Sequence, residues 1–159
     1  MAKRQGRLHR NFQGYSTQPD CDLVALGVSA IGHMGATYSQ NAKTLPEYHD
    51  AIHHGRFAIV RGIELSRDDV LRRAVIMALM CQGRLDFEAL EAAHMGDPKV
   101  CFAPELERLK AFEAEGLVEV DDEAIRITAL AWFFVRGVAM VFDRYLQSRE
   151  ARARFSRII

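Results

Sequence analysis

Histidine and cysteine carry the plainest chemistry in this chain. His49, His53 and His54 share one short helical stretch, and His49 and His53, four apart, fall on the same face. Two imidazoles so spaced can hold a metal such as zinc. No carboxylate or cysteine at ligand spacing supplies a third ligand, and nothing places a general base, so a solvated histidine face is the favoured reading. His33 and Met34 are both types that ligate haem iron, although a loop histidine at a strand end is the simpler account. Cys21, Cys81 and Cys101 are odd in number, far apart, and contain no Cys-x-x-Cys pair. They read as reduced thiols.

The best site pattern lies elsewhere. Leu23-Val24-Ala25-Leu26-Gly27-Val28-Ser29-Ala30-Ile31-Gly32 is a near-continuous apolar run of strand length. Such a run suits a strand buried on both faces, as in a parallel sheet or barrel. Ligands gather at the C-terminal ends of such strands, where glycine permits close approach. Gly27, Ser29, Ala30, Ile31 and Gly32 set small residues around one branched side chain that could pack on an adenine or ribose. Gln13, just upstream, adds an amide with donor and acceptor. Ordinary strand packing explains the same pattern without a ligand. A lone strand leaves its edges unpaired, and few later segments could pair with it. The expectation is the closing strand of a sheet whose other strands lie in a larger parent.

The remaining elements follow from their stops and caps. Met1 to Arg10 reads as a basic leader, the end of a helix in a longer parent. Thr44-Leu45-Pro46-Glu47 opens a short helix as a capping box, and Gly55 ends it. Phe57 to Leu65 is extended. Ser66-Arg67-Asp68-Asp69 caps a helix whose apolar stripe is Val70, Leu71, Ala74, Val75, Ala78 and Leu79, with Arg72 and Arg73 off it. Gly83 closes that helix. Asp86 caps a shorter one through His94, and a third runs from about Pro104 to Ala114. Leu117 to Val120 and Ile125 to Ile127 form a hairpin, and Thr128 caps a long final helix to about Leu146. Three helices, a hairpin and a closing helix are the order of a winged-helix domain.

Composition narrows the function classes. Hydrophobic residues at 49% and charged residues at 26% describe a globular chain, and the formal net charge of zero gives no general pull toward nucleic acid or anionic lipid. The helix that would enter a DNA groove carries Glu105, Glu107, Glu113 and Glu115 against Arg108 and Lys110, so phosphates are repelled and no nucleic-acid partner is expected. No apolar run approaches a membrane span, and no secretory signal is present, so no membrane partner and a cytoplasmic location are expected.

Several motifs together resemble one family. Arg10-Asn11-Phe12-Gln13-Gly14-Tyr15, Leu26-Gly27-Val28-Ser29-Ala30-Ile31, Tyr38-Ser39-Gln40-Asn41, Leu65-Ser66-Arg67-Asp68-Asp69, Val141-Phe142-Asp143-Arg144-Tyr145-Leu146 and Phe155-Ser156-Arg157-Ile158-Ile159 are similar to the C-terminal part of the oxygen-independent coproporphyrinogen III oxidases. These are radical S-adenosylmethionine enzymes of haem biosynthesis. The resemblance implies an α/β fragment, the closing strand and helix of a radical barrel with its linker over residues 1–65. A mainly α winged-helix-like domain over 66–146 and a basic tail over 147–159 would follow. It implies a partial S-adenosylmethionine site contacted by Ile31 and Gln13, with coproporphyrinogen III and a missing N-terminal radical domain as partners in the parent. Arg72, Arg73, Arg149, Arg152, Arg154 and Arg157 could pair with propionates there. The family's Cys-x-x-x-Cys-x-x-Cys motif is absent from this sequence, so a [4Fe–4S] cluster is expected in the parent only and no catalysis is expected of the chain alone. Ala131-Trp132 stands where the family usually has Gly-Arg, and Arg136-Gly137 where it often has Arg-Asn. The rival reading is a stand-alone winged-helix interaction module without catalysis.

Overall fold

The computed structural model describes residues 7–11, 14–18, 21–94 and 96–147. The chain divides into two compact units, one of His9–Val70 and one from Leu71 onward joined by the start of the chain to Leu8. Both mix helix and strand.

In the first unit, β1 (His9–Asn11) pairs antiparallel with β2 (Gly14–Ser16), so the described end of the expected leader helix is strand. β3 (Ile31–Met34), β4 (Thr37–Asn41) and β5 (Ile59–Glu64) form an antiparallel sheet in that order. Met34 and Thr37 close a two-residue turn whose first residue, Gly35, has φ 54°. A left-handed residue matches the twist of a tight hairpin. α1 (Leu45–His53) links β4 to β5. Its capping-box residues do meet, but side chain to side chain, Thr44 Oγ1 donating to Glu47 Oε2 at 2.6 Å.

The apolar run from Leu23 to Gly32 is not the expected strand. Only Leu23 bridges β3, exchanging two backbone hydrogen bonds with His33. Gly27 and Ser29 then take φ values of 98° and 58°, which break an extended chain. Val24 and Leu26 are 66% and 83% exposed. The side chain of Asn41 takes over what a neighbouring strand would do: its Nδ2 donates to the carbonyls of Ala25 and Gly27, at 3.2 and 3.0 Å. Buried backbone groups need partners, and an asparagine 14 to 16 residues away supplies them.

The second unit is built on α2 (Arg67–Gln82), β6 (Arg84–Asp86), α3 (Phe87–His94), α4 (Pro98–Cys101), α5 (Ala103–Ala114), β7 (Val118–Val120) and β8 (Ala124–Ile127). The strands form one antiparallel sheet in the order β6-β8-β7. Ser66 and Asp69 cap α2 reciprocally, Asp69 N–H donating to Ser66 Oγ at 3.2 Å and Ser66 N–H to Asp69 Oδ2 at 2.9 Å. Val75, Leu79, Phe102, Leu109, Ile125 and Phe142 centre the core.

The expected final helix is not observed, and Arg72 packs beside the segment that replaces it. Arg72 is no surface residue: its side chain is 15% exposed, lies 5.3 Å over the Phe102 ring, and donates to Glu105 Oε1 at 2.8 Å and to the Phe142 carbonyl at 3.1 Å. Arg108 donates to the Val141 carbonyl at 2.8 Å. The long final helix is absent. Residues 130–134 form a 3-10 turn, α6 covers only Val135–Ala139, and further 3-10 turns follow at 140–142 and 144–147. Guanidinium groups occupy the carbonyls of Val141 and Phe142, which a helix continuing past Asp143 would use. The departures from the family pattern fit this segment: Ala131 is buried, Trp132 packs on a second cluster with Met80, Cys81, Val135 and Ala139, and a Cβ at Gly137 would meet nothing.

The β7–β8 turn gives a pH-dependent expectation. Asp121 accepts from the Arg126 guanidinium and from the backbone N–H of Glu123 and Ala124, and these hold its carboxyl at about 2, against an ordinary 3.8. A depressed folded value means stabilisation that is present above the unfolded value and is lost as pH falls through the folded one. Melts of wild type and Asp121→Asn should thus differ at pH 5, and converge as pH drops from 3.8 to about 2. A gap unchanged across that window would show that the turn does not titrate.

Candidate binding site

On an antiparallel sheet, directly opposed residues share a face. Ile31 opposes Gln40, which opposes Arg61, and His33 opposes Tyr38, which opposes Ile63. Gly32, Ser39 and Gly62 form the row on the other face. That row is crowded: a Cβ on Gly62 would come within 2.9 Å of the Tyr38 carbonyl, and one on Gly32 within 3.1 Å of the Leu23 carbonyl. Gly32 lets the Leu23–Ala25 segment lie against the sheet, while Gly62 clears the backbone of β4.

A shallow cleft of about 240 Å³ is lined by Ile31, Tyr38, Ser39, Gln40, Arg61, Gly62 and Ile63. It combines two aliphatic side chains and a phenol ring with an amide and a guanidinium, a set suited to a ligand with a flat or apolar body and a negative group. Gln40 Nε2 donates to the Ser29 carbonyl at 3.1 Å, and Arg61 Nε donates to Gln40 Oε1 at 2.8 Å. Of the two expected contact residues, Ile31 is in this cleft. Gln13 lies outside the described residues, as do Arg149, Arg152, Arg154 and Arg157.

Sequence reading missed Tyr38, Arg61 and Ile63 as site residues. Their signal was present in the Tyr38-Ser39-Gln40-Asn41 motif and in the extended segment from Phe57 to Leu65, but only the β4–β5 register puts the two side by side.

The metal candidates do not assemble. His49 and His53 stack with ring centroids 6.0 Å apart on the exposed face of α1, whereas His54 turns to Asp50, its Nδ1 lying 2.8 Å from the Asp50 carbonyl. His33 is 8% exposed, packs 4.7 Å from the Tyr38 ring and has no partner for Nε2 among the described residues, while Met34 is 55% exposed. Adjacent strand residues point to opposite faces, so His33 and Met34 do not converge. Among the described residues no group of three or more His, Cys, Asp or Glu could hold a metal ion. Cys81 is buried, and Cys21 and Cys101 are exposed. The donor set described here does not fit an iron–sulfur cluster.

In the second unit, Glu105 pairs with Arg108 and Glu107 with Lys110, so part of the charge on α5 is engaged within the helix. Glu105 is 6% exposed beneath Arg72 and Arg108, and Arg126 is bound by Asp121. Hydrogen bonding from Arg84 lowers the Asp86 carboxyl, while Asp121 raises Arg126. Among the described residues, no helix is long and apolar enough to cross a membrane.

Comparison with known proteins gives consistent matches. Residues 65–134 match the family model described as "HemN C-terminal domain". The oxygen-independent coproporphyrinogen III oxidase of Escherichia coli (strain K12) is 43% identical over 162 residues, an alignment covering 100% of this chain and 35% of that protein. The Pseudomonas aeruginosa enzyme of the same name is 46% identical over 161 residues, covering 99% of this chain and 34% of its own length. A solved structure titled "Coproporphyrinogen III oxidase (HemN) from Escherichia coli is a Radical SAM enzyme" superposes with a TM-score of 0.88 at 44% identity, over 91% of this chain and 33% of that one. The chain thus spans about a third of the length of these relatives.

Proposed function

We propose that this chain, similar over its whole length to the C-terminal third of the oxygen-independent coproporphyrinogen III oxidases, serves as the substrate-enclosing part of such an oxidase. The parent reaction is the oxidative decarboxylation of two propionate side chains of coproporphyrinogen III to vinyls, giving protoporphyrinogen IX. S-adenosylmethionine, where bound, supplies the radical chemistry of that reaction. This chain's contribution is to orient ligand and exclude water. The observation that carries the reading is the position of Ile31 on a cleft that pairs apolar wall with amide and guanidinium.

In this reading Ile31 packs on S-adenosylmethionine, and Gln13 joins it from outside the described residues. Residues 1–65 are the part continuous with the radical barrel, 66–146 a winged-helix-like cover, and 147–159 a basic tail. The three-stranded sheet with α2, α3 and α5 supports the cover's description. The partner is the N-terminal radical domain, which brings the cluster that the residues described here do not fit.

A chimera tests this. The C-terminal third of the Escherichia coli enzyme is replaced by this chain and assayed for protoporphyrinogen formation. Activity is expected to be retained, and Ile31→Asp in the chimera should lower it roughly tenfold or more, because a carboxylate would be desolvated against an apolar contact. A soluble, folded chimera with no turnover would sink the reading.

A further inference from the structure

We propose that Arg61 is the carboxylate anchor of the sheet cleft. Three observations converge on it. Arg61 is the outermost member of the row Ile31–Gln40–Arg61, so a ligand body lying along the row on Ile31 brings its far end to the guanidinium. Gln40 fixes the orientation of that group: its Nε2 is committed to the Ser29 carbonyl, which turns its Oε1 to accept from Arg61 Nε. And among the described residues no carboxylate pairs with Arg61. The other lining residues are apolar, hydroxyl or amide, so Arg61 is the one positively charged residue among the described residues that line the cleft.

A guanidinium held at Nε presents its two outer N–H groups as a fork, the geometry that carboxylates match bidentately. Ser29 contributes to this from an unusual conformation. Its φ of 58° is tolerated because its N–H donates to the Ala42 carbonyl at 2.7 Å while its carbonyl holds Gln40. The left-handed residue is thus part of the support for Arg61.

The ligand chemistry is an apolar or flat body ending in a carboxylate. This rests on the reading of the cleft given above, in which two sources qualify: the methionyl carboxylate of S-adenosylmethionine and a propionate of the tetrapyrrole. Nuclear magnetic resonance on the ¹⁵N-labelled chain separates them. The Arg61 Nε–H signal and the Ile31 amide are followed during titration with S-adenosylmethionine, with its decarboxylated analogue, and with coproporphyrin III, the stable oxidised form bearing the same propionates.

Both signals should move with the carboxylate ligand that Arg61 holds, and Arg61→Gln should weaken that ligand about tenfold. Arg61→Lys keeps charge but loses the fork, so it should fall between. A loss confined to S-adenosylmethionine, with the decarboxylated analogue indifferent to the substitution, assigns the methionyl carboxylate. A loss confined to coproporphyrin assigns the propionate. Movement of Ile31 with equal affinity in wild type and Arg61→Gln overturns the anchor and leaves the cleft. Where no cleft signal moves in the isolated chain, the same ligands are titrated against the chimera described above, and equal affinity of the chimera with and without Arg61→Gln overturns the anchor. An unchanged melting temperature in Arg61→Gln rules out misfolding as the source of a weakened affinity.

Discussion

Arg72→Ala is expected to destabilise the second unit by about 3–5 kcal/mol, because removing one partner of a buried ion pair leaves the other charge uncompensated. The side chain of Glu105 is 9% exposed, and its Oε2 already has no partner among the described residues. Deleting Arg72 leaves Arg108, 3.2 Å from Glu105 Oε1 and 40% exposed, as the remaining cation. The Phe142 carbonyl would lose its donor, and the Phe102 ring its cation. Urea unfolding of the purified chain measures the loss. The double variant Arg72→Leu/Glu105→Leu should recover most of it, since apolar residues of similar volume often replace a buried pair at little cost. A midpoint for Arg72→Ala within error of wild type would mean the pair is screened and structurally idle.

The second large effect is Phe142→Ala, with an expected loss of about 3–5 kcal/mol. Phe142 is fully buried and meets Phe102 edge to face, with centroids 5.4 Å apart and planes at 84°. Truncation opens a cavity in the middle of the core cluster. Phe142→Leu fills most of that volume and should cost less than half as much. Because Arg72 holds the backbone carbonyl of Phe142 and lies on the ring face of Phe102, Phe142→Ala and Arg72→Ala should not be additive. Summed single losses equal to the double loss would show that the ring pair and the ion pair are independent.

What the sequence made legible was local. The Ser66–Asp69 cap, the stop at Gly55 and the β7–β8 hairpin each depend on residues a few positions apart, and each is present in the structure. The failures all involve partners far along the chain. The run from Leu23 to Gly32 looks like a buried strand by hydropathy, yet the amide of Asn41 and the turns at Gly27 and Ser29 make it an irregular wrap. Arg72 lies off the apolar stripe of α2, yet a glutamate 33 residues later buries it. The long helix expected from Thr128 to Leu146 is broken into short turns, and at its end the carbonyls of Phe142 and Val141 are taken by Arg72 and Arg108. At the site, hydropathy and resemblance reached Ile31. Arg61 escaped because its neighbour Gln40 is 21 residues away.

Those two guanidinium–carbonyl contacts also set an order of events. They close loops of 70 and 33 residues respectively, and loop closure costs entropy that grows with length while offering nothing until the ends meet. Neither arginine can find its carbonyl until α2 and α5 are themselves in place. Residues 140–142 are therefore expected to order late in folding, a prediction that chevron kinetics of Phe142→Ala would read. The expected result is a faster unfolding rate with a nearly unchanged folding rate, and an equal slowing of folding would place the segment in the nucleus instead.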